Sequence, residues 1–358
     1  MKHKKKSLTN EWWDEFEALE GIEPKIEAVK ELCALKADKE FYKKIDIGEA
    51  VIRIGDESKG SKESYHNLLD TLRKEHADIF DMDARWYIRD LIYYYISKEW
   101  RGDIKGLVEY LVKNPKEDAD IICDLLDVLI VNGFTREAWR LLDFYYFFLR
   151  EGGNTIDKGI FELSVLAGFF IIYKNVDLEG GTFSLEAIKK GLSRFDCEPK
   201  KEIISERLRI ITSKEFHFAG NIQERRGKLG AYFLTCEFMR HLLDAKKTNF
   251  VCAHMLQEYM FRYISETKHD ICDFNKEETG SYLGSFCSLL SLGQTRAFII
   301  LCAMFLFYDF LYEKKLIEAD AYTKTKNELN ELKDGLFKAF EKSLWKYKFT
   351  ETLFGQRL

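Results

Sequence analysis

Read as apolar and polar positions, the chain repeats one pattern almost without a break: apolar residues three and four apart, in stretches of about 11 to 20 residues. In Asp118 to Gly133, Ile121, Ile122, Leu125, Leu126, Leu129 and Ile130 make one face and Asp120, Asp124 and Asp127 the other, as an amphipathic helix requires. The same spacing predicts helices near residues 11–20, 24–36, 62–76, 83–100, 103–113, 134–150, 157–174, 184–194, 199–213, 228–245, 249–268, 277–291, 295–314 and 318–346. Pro24, Pro115 and Pro199 fall where helices begin, a position at which the missing N–H would be unpaired anyway. Glycines fall in the gaps, as at Gly102, Gly133, Gly152, Gly180 and Gly220, where they stop helices. Only Ile45 to Ile54 alternates like a strand, and the loop-like stretch that follows it, Gly55 to Lys62, is the natural boundary. The expected organisation is an amino-terminal segment, 1–60, followed by a main helical array, 61–358.

Short connections make sequence neighbours spatial neighbours, and so many helices exceed one bundle core. The expected fold is therefore all-α: stacked antiparallel helical hairpins, as a repeat-like α-solenoid or an irregular helical array. Asn132-Gly133-Phe134-Thr135-Arg136-Glu137-Ala138-Trp139, between helices carrying Leu125 and Leu126 on one side and Leu142 on the other, resembles the turn of a tetratricopeptide repeat. In that family the Gly ends the first helix and the Ala five residues on packs against it, roles the resemblance gives to Gly133 and Ala138. Leu126, Tyr145 and Arg150 stand where the family has its other small residues and its closing Pro. Gly180 to Ala187 is a looser echo. The resemblance favours a repeat-like stack over a closed bundle, and the number of helices, their short connections and the absence of a catalytic signature point to a protein that binds another macromolecule or peptide. A solenoid groove would be lined by the aromatic and cationic residues Tyr94, Trp139, Arg140, Tyr145 and Tyr146. The run Phe144 to Phe148 cannot all face one core, so one or two of its rings should be half exposed. From Ile317 to Phe349, Leu329, Leu332, Leu336, Phe337, Phe340, Leu344 and Tyr347 form a stripe suited to capping the array or to a dimer surface.

Composition narrows the classes. Of 358 residues 46% are apolar and 32% charged, with three prolines, which excludes collagen-like, disordered and disulfide-scaffold chains. The net charge of -5 gives no field that demands nucleic acid, and the basic stretch Lys200 to Lys228 is a solvated face. Eight cysteines are scattered without a CxxC pair, as in an intracellular, cytoplasmic protein with reduced thiols. The basic first residues run into Trp12, Trp13 and a set of acids, so no signal peptide is expected. The apolar stretch Ala297 to Tyr308 is shorter than the about 20 residues a membrane span needs, and Gly159 to Tyr173 carries Glu162. Both are expected as buried helices.

Chemistry concentrates in 236–272: Cys236, Glu237, His241, Cys252, His254, Glu258, His269, Asp270 and Cys272. Glu237 and His241, like His254 and Glu258, stand four apart and share a helix face, so Glu237, His241, His269 and Asp270 could form a metal site. His269-Asp270, with His241 and Asp309, resembles the metal-binding pattern of HD phosphohydrolases, and Arg262 with His269 resembles the Arg-x4-6-His pair of HEPN ribonucleases. The alternative to a binding protein is thus an all-helical hydrolase or nuclease with Arg262, His269 and Asp270 at its centre. No GxxxxGK[ST], GxGxxG, GxSxG or HExxH occurs, and no cofactor is implied.

Overall fold

The computed structural model describes residues 11–58, 63–98, 100–116, 119–151, 157–197, 201–212, 228–267, 274–287 and 294–340. The fold is all-α: among the described residues there are seventeen helices and one pair of two-residue strands. The chain divides into two compact units, one of residues 1–107 with 337–358 and one of residues 108–336.

In the first unit, helix α1 (11–18) is followed by α2 (Ile22–Ala34), α3 (Lys39–Ile45), α4 (Ile47–Glu57), α5 (Glu63–Glu75) and α6 (Ala77–Ser97). Helix α2 packs on α4 and α5, and α4 on α6, so the helices on either side of residues 59–62 belong to one unit. Ile45 to Ile54, whose strand-like alternation suggests a small irregular element, is helical: Ile45 ends α3 and Ile47 to Ile54 lie in α4. Its β-branched residues also fit a helical stripe, because Ile47, Val51 and Ile54 are four and three apart, and all three are fully buried. What hid the helix is the one-residue joint before it. Asp46 alone turns the chain in the left-handed region (φ 59°), ending α3 and starting α4. Helix α6 begins earlier than the sequence pattern indicates, at Ala77, and breaks regularity at Asp83 (φ -129°), where the pattern places the start. Tyr65 Oη donates to the buried Asp90 carboxylate at 3.0 Å, tying α5 to α6. Burial pushes Asp90 above the usual carboxylate range, with Arg89 and Tyr65 pulling the other way.

Helix α7 (Arg101–Lys113) carries the division between the units. The second unit continues with α8 (Ala119–Val131), α9 (Thr135–Glu151) and α10 (Asp157–Lys174), then strands β1 (Val176–Asp177) and β2 (Thr182–Phe183), paired antiparallel with Val176 opposite Phe183. Helices α11 (Leu185–Ser193), α12 (Lys201–Thr212), α13 (Lys228–Asp244), α14 (Phe250–Glu266), α15 (Lys276–Ser285), α16 (Gln294–Glu313) and α17 (Ala319–Phe340) follow, the last four residues of α17 falling in the first unit. Consecutive helices pair as hairpins: α8 with α9, α9 with α10, α10 with α11, α12 with α13, α13 with α14.

The α8–α9 turn shows why. Gly133 takes a positive φ of 78°, its N–H bonds Ile130 O at 3.1 Å, and the N–H of Phe134 bonds Leu129 O at 2.8 Å. That closes the carboxyl end of α8 in a Schellman arrangement and returns the chain along it. Ala138, fully buried, allows the two helices to approach.

Helix α16 breaks strict neighbour-to-neighbour stacking by lying against α8, α13, α14 and α15. Its segment Thr295–Glu313 is, among the described residues, the one helix long and apolar enough to cross a membrane, and most of it is buried inside the protein. Ala297, Ile299, Cys302, Ala303, Met304 and Phe307 are all fully buried, so this apolar surface is spent on core packing. In α17, Leu329 is buried, Lys326 and Tyr322 both reach Asp309, and Tyr322 stacks on Tyr312 with centroids 4.3 Å apart. Residues beyond 340 of the expected carboxyl-terminal stripe lie outside the described residues.

Candidate functional site

The 237–273 cluster is not assembled as one site among the described residues. His269, Asp270 and Cys272 lie outside them. His241 on α13 turns to α16, its Nε2 3.4 Å from Glu313 Oε2 and its ring 5.4 Å from Phe310. Burial lowers its pKa, with Glu313 opposing. Glu237, one turn earlier on α13, is half-buried. His254 is fully buried against Phe169, ring centroids 4.3 Å apart. Among the described residues no three His, Cys, Asp or Glu side chains are grouped to hold a metal.

Arg262 has instead become part of a buried chain of alternating charge. Its Nε bonds Glu258 at 3.1 Å and its Nη1 bonds Glu162 at 2.8 Å. Glu162 passes the chain to Arg296 Nη1 at 3.2 Å, and Arg296 Nε bonds Asp127 at 3.0 Å. Asp127 also accepts from Tyr259 Oη at 2.7 Å, and one turn earlier Asp124 accepts from Thr295 Oγ1. Helices α8, α10, α14 and α16 each contribute. Side-chain exposure falls from 23% at Arg262 to 2% at Asp127, so the chain runs from a half-open end into the core. Burial raises Asp127, while the Arg296 charge and the Tyr259 hydroxyl pull it down; burial also raises the Tyr259 phenol. Three carboxylates and two guanidinium groups leave little charge to offer a ligand. Such a network holds four helices in one register more than it binds anything.

Sequence periodicity had placed Asp124 and Asp127 on the polar face of α8. At Asp124 and Asp127, though not at the exposed Asp120, that face is not solvated: α16 covers it and supplies a matching Thr and Arg. No local signal could have found this, because the partners lie 171 and 169 residues away.

The expected groove residues separate. Tyr94 belongs to the first unit and is 5% exposed, its ring stacked on His66 with centroids 3.9 Å apart. Tyr145 and Tyr146 turn inward: they share α9 with Ala138, Leu141, Leu142 and Leu149 on its buried side. Tyr145 Oη donates to Leu111 O at 3.3 Å and Tyr146 Oη to Asp196 at 3.0 Å, which satisfies both hydroxyls. Trp139 is half-buried and Arg140 exposed, the latter 3.2 Å from Glu109. Three rings of the aromatic run, Phe144, Phe147 and Phe148, are half-buried, and Phe144 stacks on Phe148 with centroids 5.9 Å apart.

Around Trp139 an outward platform forms. Its ring rests on Phe170 of α10 and on Phe195 beyond α11, centroids 5.4 and 5.9 Å away. Lys174, at the end of α10, sets its ammonium 3.6 Å from the Trp139 ring centroid. Burial lowers the Lys174 pKa, with Asp143 opposing. Arg194 sets its guanidinium 5.6 Å from Phe147 and 5.7 Å from Phe195. The sequence drew attention to Trp139 and Arg140 but not to Lys174 and Arg194, which come from two other helical segments. No family model matches the chain, and no curated protein or solved structure matches it.

Proposed function

We propose that this chain is a helical interaction protein that binds a peptide segment of another protein through the surface made by α9, α10 and the end of α11. The observation that carries this reading is the seating of Lys174 on the half-buried Trp139 ring. Trp and cationic side chains held at a surface by packing from below lose little freedom on binding, and Trp and Arg dominate the energetics of interfaces. The hairpin order of the second unit and the tetratricopeptide-like turn at Gly133 support the same reading. The seven described cysteines are all free, which suits a reducing, cytoplasmic setting. The hydrolase reading gains no support among the described residues, since His241 faces Glu313 and Arg262 is held by Glu162 and Glu258.

The test is photo-crosslinking in cell extract with a benzophenone amino acid at Phe147, followed by mass spectrometry of the products. A discrete protein adduct is expected, lost when Trp139→Ala is added. Adducts that are indifferent to Trp139→Ala would sink the reading.

A further inference from the structure

Asn132-Gly133, at the α8–α9 turn, is the one place in the chain where an asparagine precedes a glycine. That order carries a chemistry of its own. The backbone nitrogen of the following residue can attack the asparagine side-chain carbonyl carbon, Cγ, and glycine puts no side chain in the way. A bond forms between Gly133 N and Asn132 Cγ and the Cγ–Nδ2 bond breaks. Nδ2 leaves as ammonia, taking the proton that Gly133 N gives up. Water then opens the resulting five-membered succinimide at either carbonyl, giving Asp, or isoaspartate with the main chain running through the side-chain carbons.

In the folded protein each of these atoms is tied. Asn132 is 7% exposed, and its Nδ2 donates to Val128 O at 2.8 Å. The Gly133 N–H donates to Ile130 O at 3.1 Å, and the N–H of Phe134 to Leu129 O at 2.8 Å. A succinimide nitrogen carries no hydrogen, so the ring and the Gly133–Ile130 bond exclude one another. The reaction therefore requires the closure of α8 to open first, and Gly133 is exposed, so water is at hand when it does.

The way back is closed by the product. A carboxylate at residue 132 sets an oxygen where Nδ2 donated, acceptor against acceptor at Val128 O. Its other oxygen takes the place of Oδ1, which is buried and has no hydrogen-bond donor among the described residues. The new charge also stands at the carboxyl end of α8, the negative end of the helix dipole. Isoaspartate adds a main-chain carbon as well and moves Phe134 N–H out of register with Leu129 O.

We propose that Asn132-Gly133 is a modification site gated by the fold: it deamidates spontaneously, with water as co-reactant, when the carboxyl end of α8 opens, and the product does not restore the turn. Transient opening of the α8–α9 hairpin is thereby converted into permanent loss of the joint from which α9 and Trp139 are set. The inference is independent of the peptide-binding reading.

The test follows the full chain over time at mildly alkaline pH in buffer, in urea below the unfolding transition and in urea above it. Peptide mass mapping gives the deamidated fraction at Asn132. The folded chain should react about 30-fold or more slower than the unfolded one, with the rate rising through the urea series below the transition. Leu142→Ala, which removes a fully buried side chain of α9, should speed the folded-state reaction about fivefold or more and leave the unfolded rate unchanged. Circular dichroism establishes that this variant folds, and Leu142→Val replaces it if it does not. Asn132→Asp, the product made directly, should unfold at lower urea than the natural chain.

An unfolded chain that does not deamidate at Asn132 would overturn the site. Equal rates in the folded and unfolded chain, or a folded-state rate indifferent to urea and to the Leu142 substitution, would overturn the gating. An Asn132→Asp protein as stable as the natural one would overturn the permanence.

Discussion

Arg296 and Asp127 are 169 residues apart in the chain and 3.0 Å apart in the fold. The contact joins α16 to α8 at a depth where Asp127 is 2% exposed and Arg296 13%. Its Coulomb gain is set against the cost of removing two charges from water, so the pair adds little net stability, yet neither member can be left alone.

Asp127→Ala should therefore destabilise the protein by about 3–5 kcal/mol, because it leaves Arg296 buried with Glu162 as its remaining partner. Asp127→Leu combined with Arg296→Met should cost much less than the sum of the two single changes. Urea unfolding of the four proteins measures the coupling. Strict additivity would show that the pair is not coupled in the folded protein.

Two glycine substitutions should act in opposite directions. A Cβ at Gly133 meets nothing within 4 Å, but the residue holds a φ of 78°. Gly133→Ala should cost about 1–2 kcal/mol through backbone strain alone. Gly106, exposed in α7 with equally open surroundings and no positive φ, should give about 0.5–1 kcal/mol of added stability as Ala. Thermal melting of both variants decides it.

The lowered pKa of His241 makes stability depend on pH. Burial holds its folded value below the ordinary 6.5, so the unfolded chain takes up a proton first as pH falls. Its contribution is intact above pH 6.5 and is lost as pH drops from there through the folded value. His241→Gln should flatten the slope of stability against pH in this window. Glu313→Gln, which removes the opposing charge, should widen it. Denaturation at a series of pH values between neutral and mildly acidic gives both slopes.

Thiol reactivity should divide sharply. Burial pushes Cys252 up to about 12 and raises Cys302 well above the ordinary range, and both are buried. At pH 8 they should react with Ellman's reagent about 100-fold or more slower than in denaturant, where all eight cysteines of the chain react. The half-buried Cys197 and Cys287 should lead among the described thiols of the native protein. Mapping alkylated peptides over time identifies the order.

Periodicity located most helices because a helix that buries one side must repeat its apolar residues every three to four positions, and that repeat is local. It left Ile45 to Ile54 open because Ile45, Ile47 and Val51 keep the two-residue period of a strand while Ile47, Val51 and Ile54 keep the three-to-four-residue period of a helix, and only packing against α2 and α6 selects between them. It read the apolar run of α16 correctly as a buried helix, although the helix extends past Ala297 to Tyr308 to a length that could span a membrane, and only its burial against α8, α13, α14 and α15 distinguishes the two uses.

The candidate site divides along the same line. Trp139 and Arg140 stood out locally as an aromatic and a cation beside a helical turn. That Tyr145 and Tyr146 face inward while Phe147 faces out depends on the rotation of α9 about its axis, fixed by contacts with α8 and α10. Lys174, Arg194 and Asp143 meet on one platform only because α10 runs back along α9 and α11 follows it. The sequence by itself determined the helices, their turns at residues such as Gly133, and the all-α class, since these follow from backbone preference and the burial of one face. The tertiary structure alone decided which charges are hidden and which cations sit on half-buried rings. Electrostatic partnership needs proximity across helices, and nothing in the local order of residues encodes that proximity.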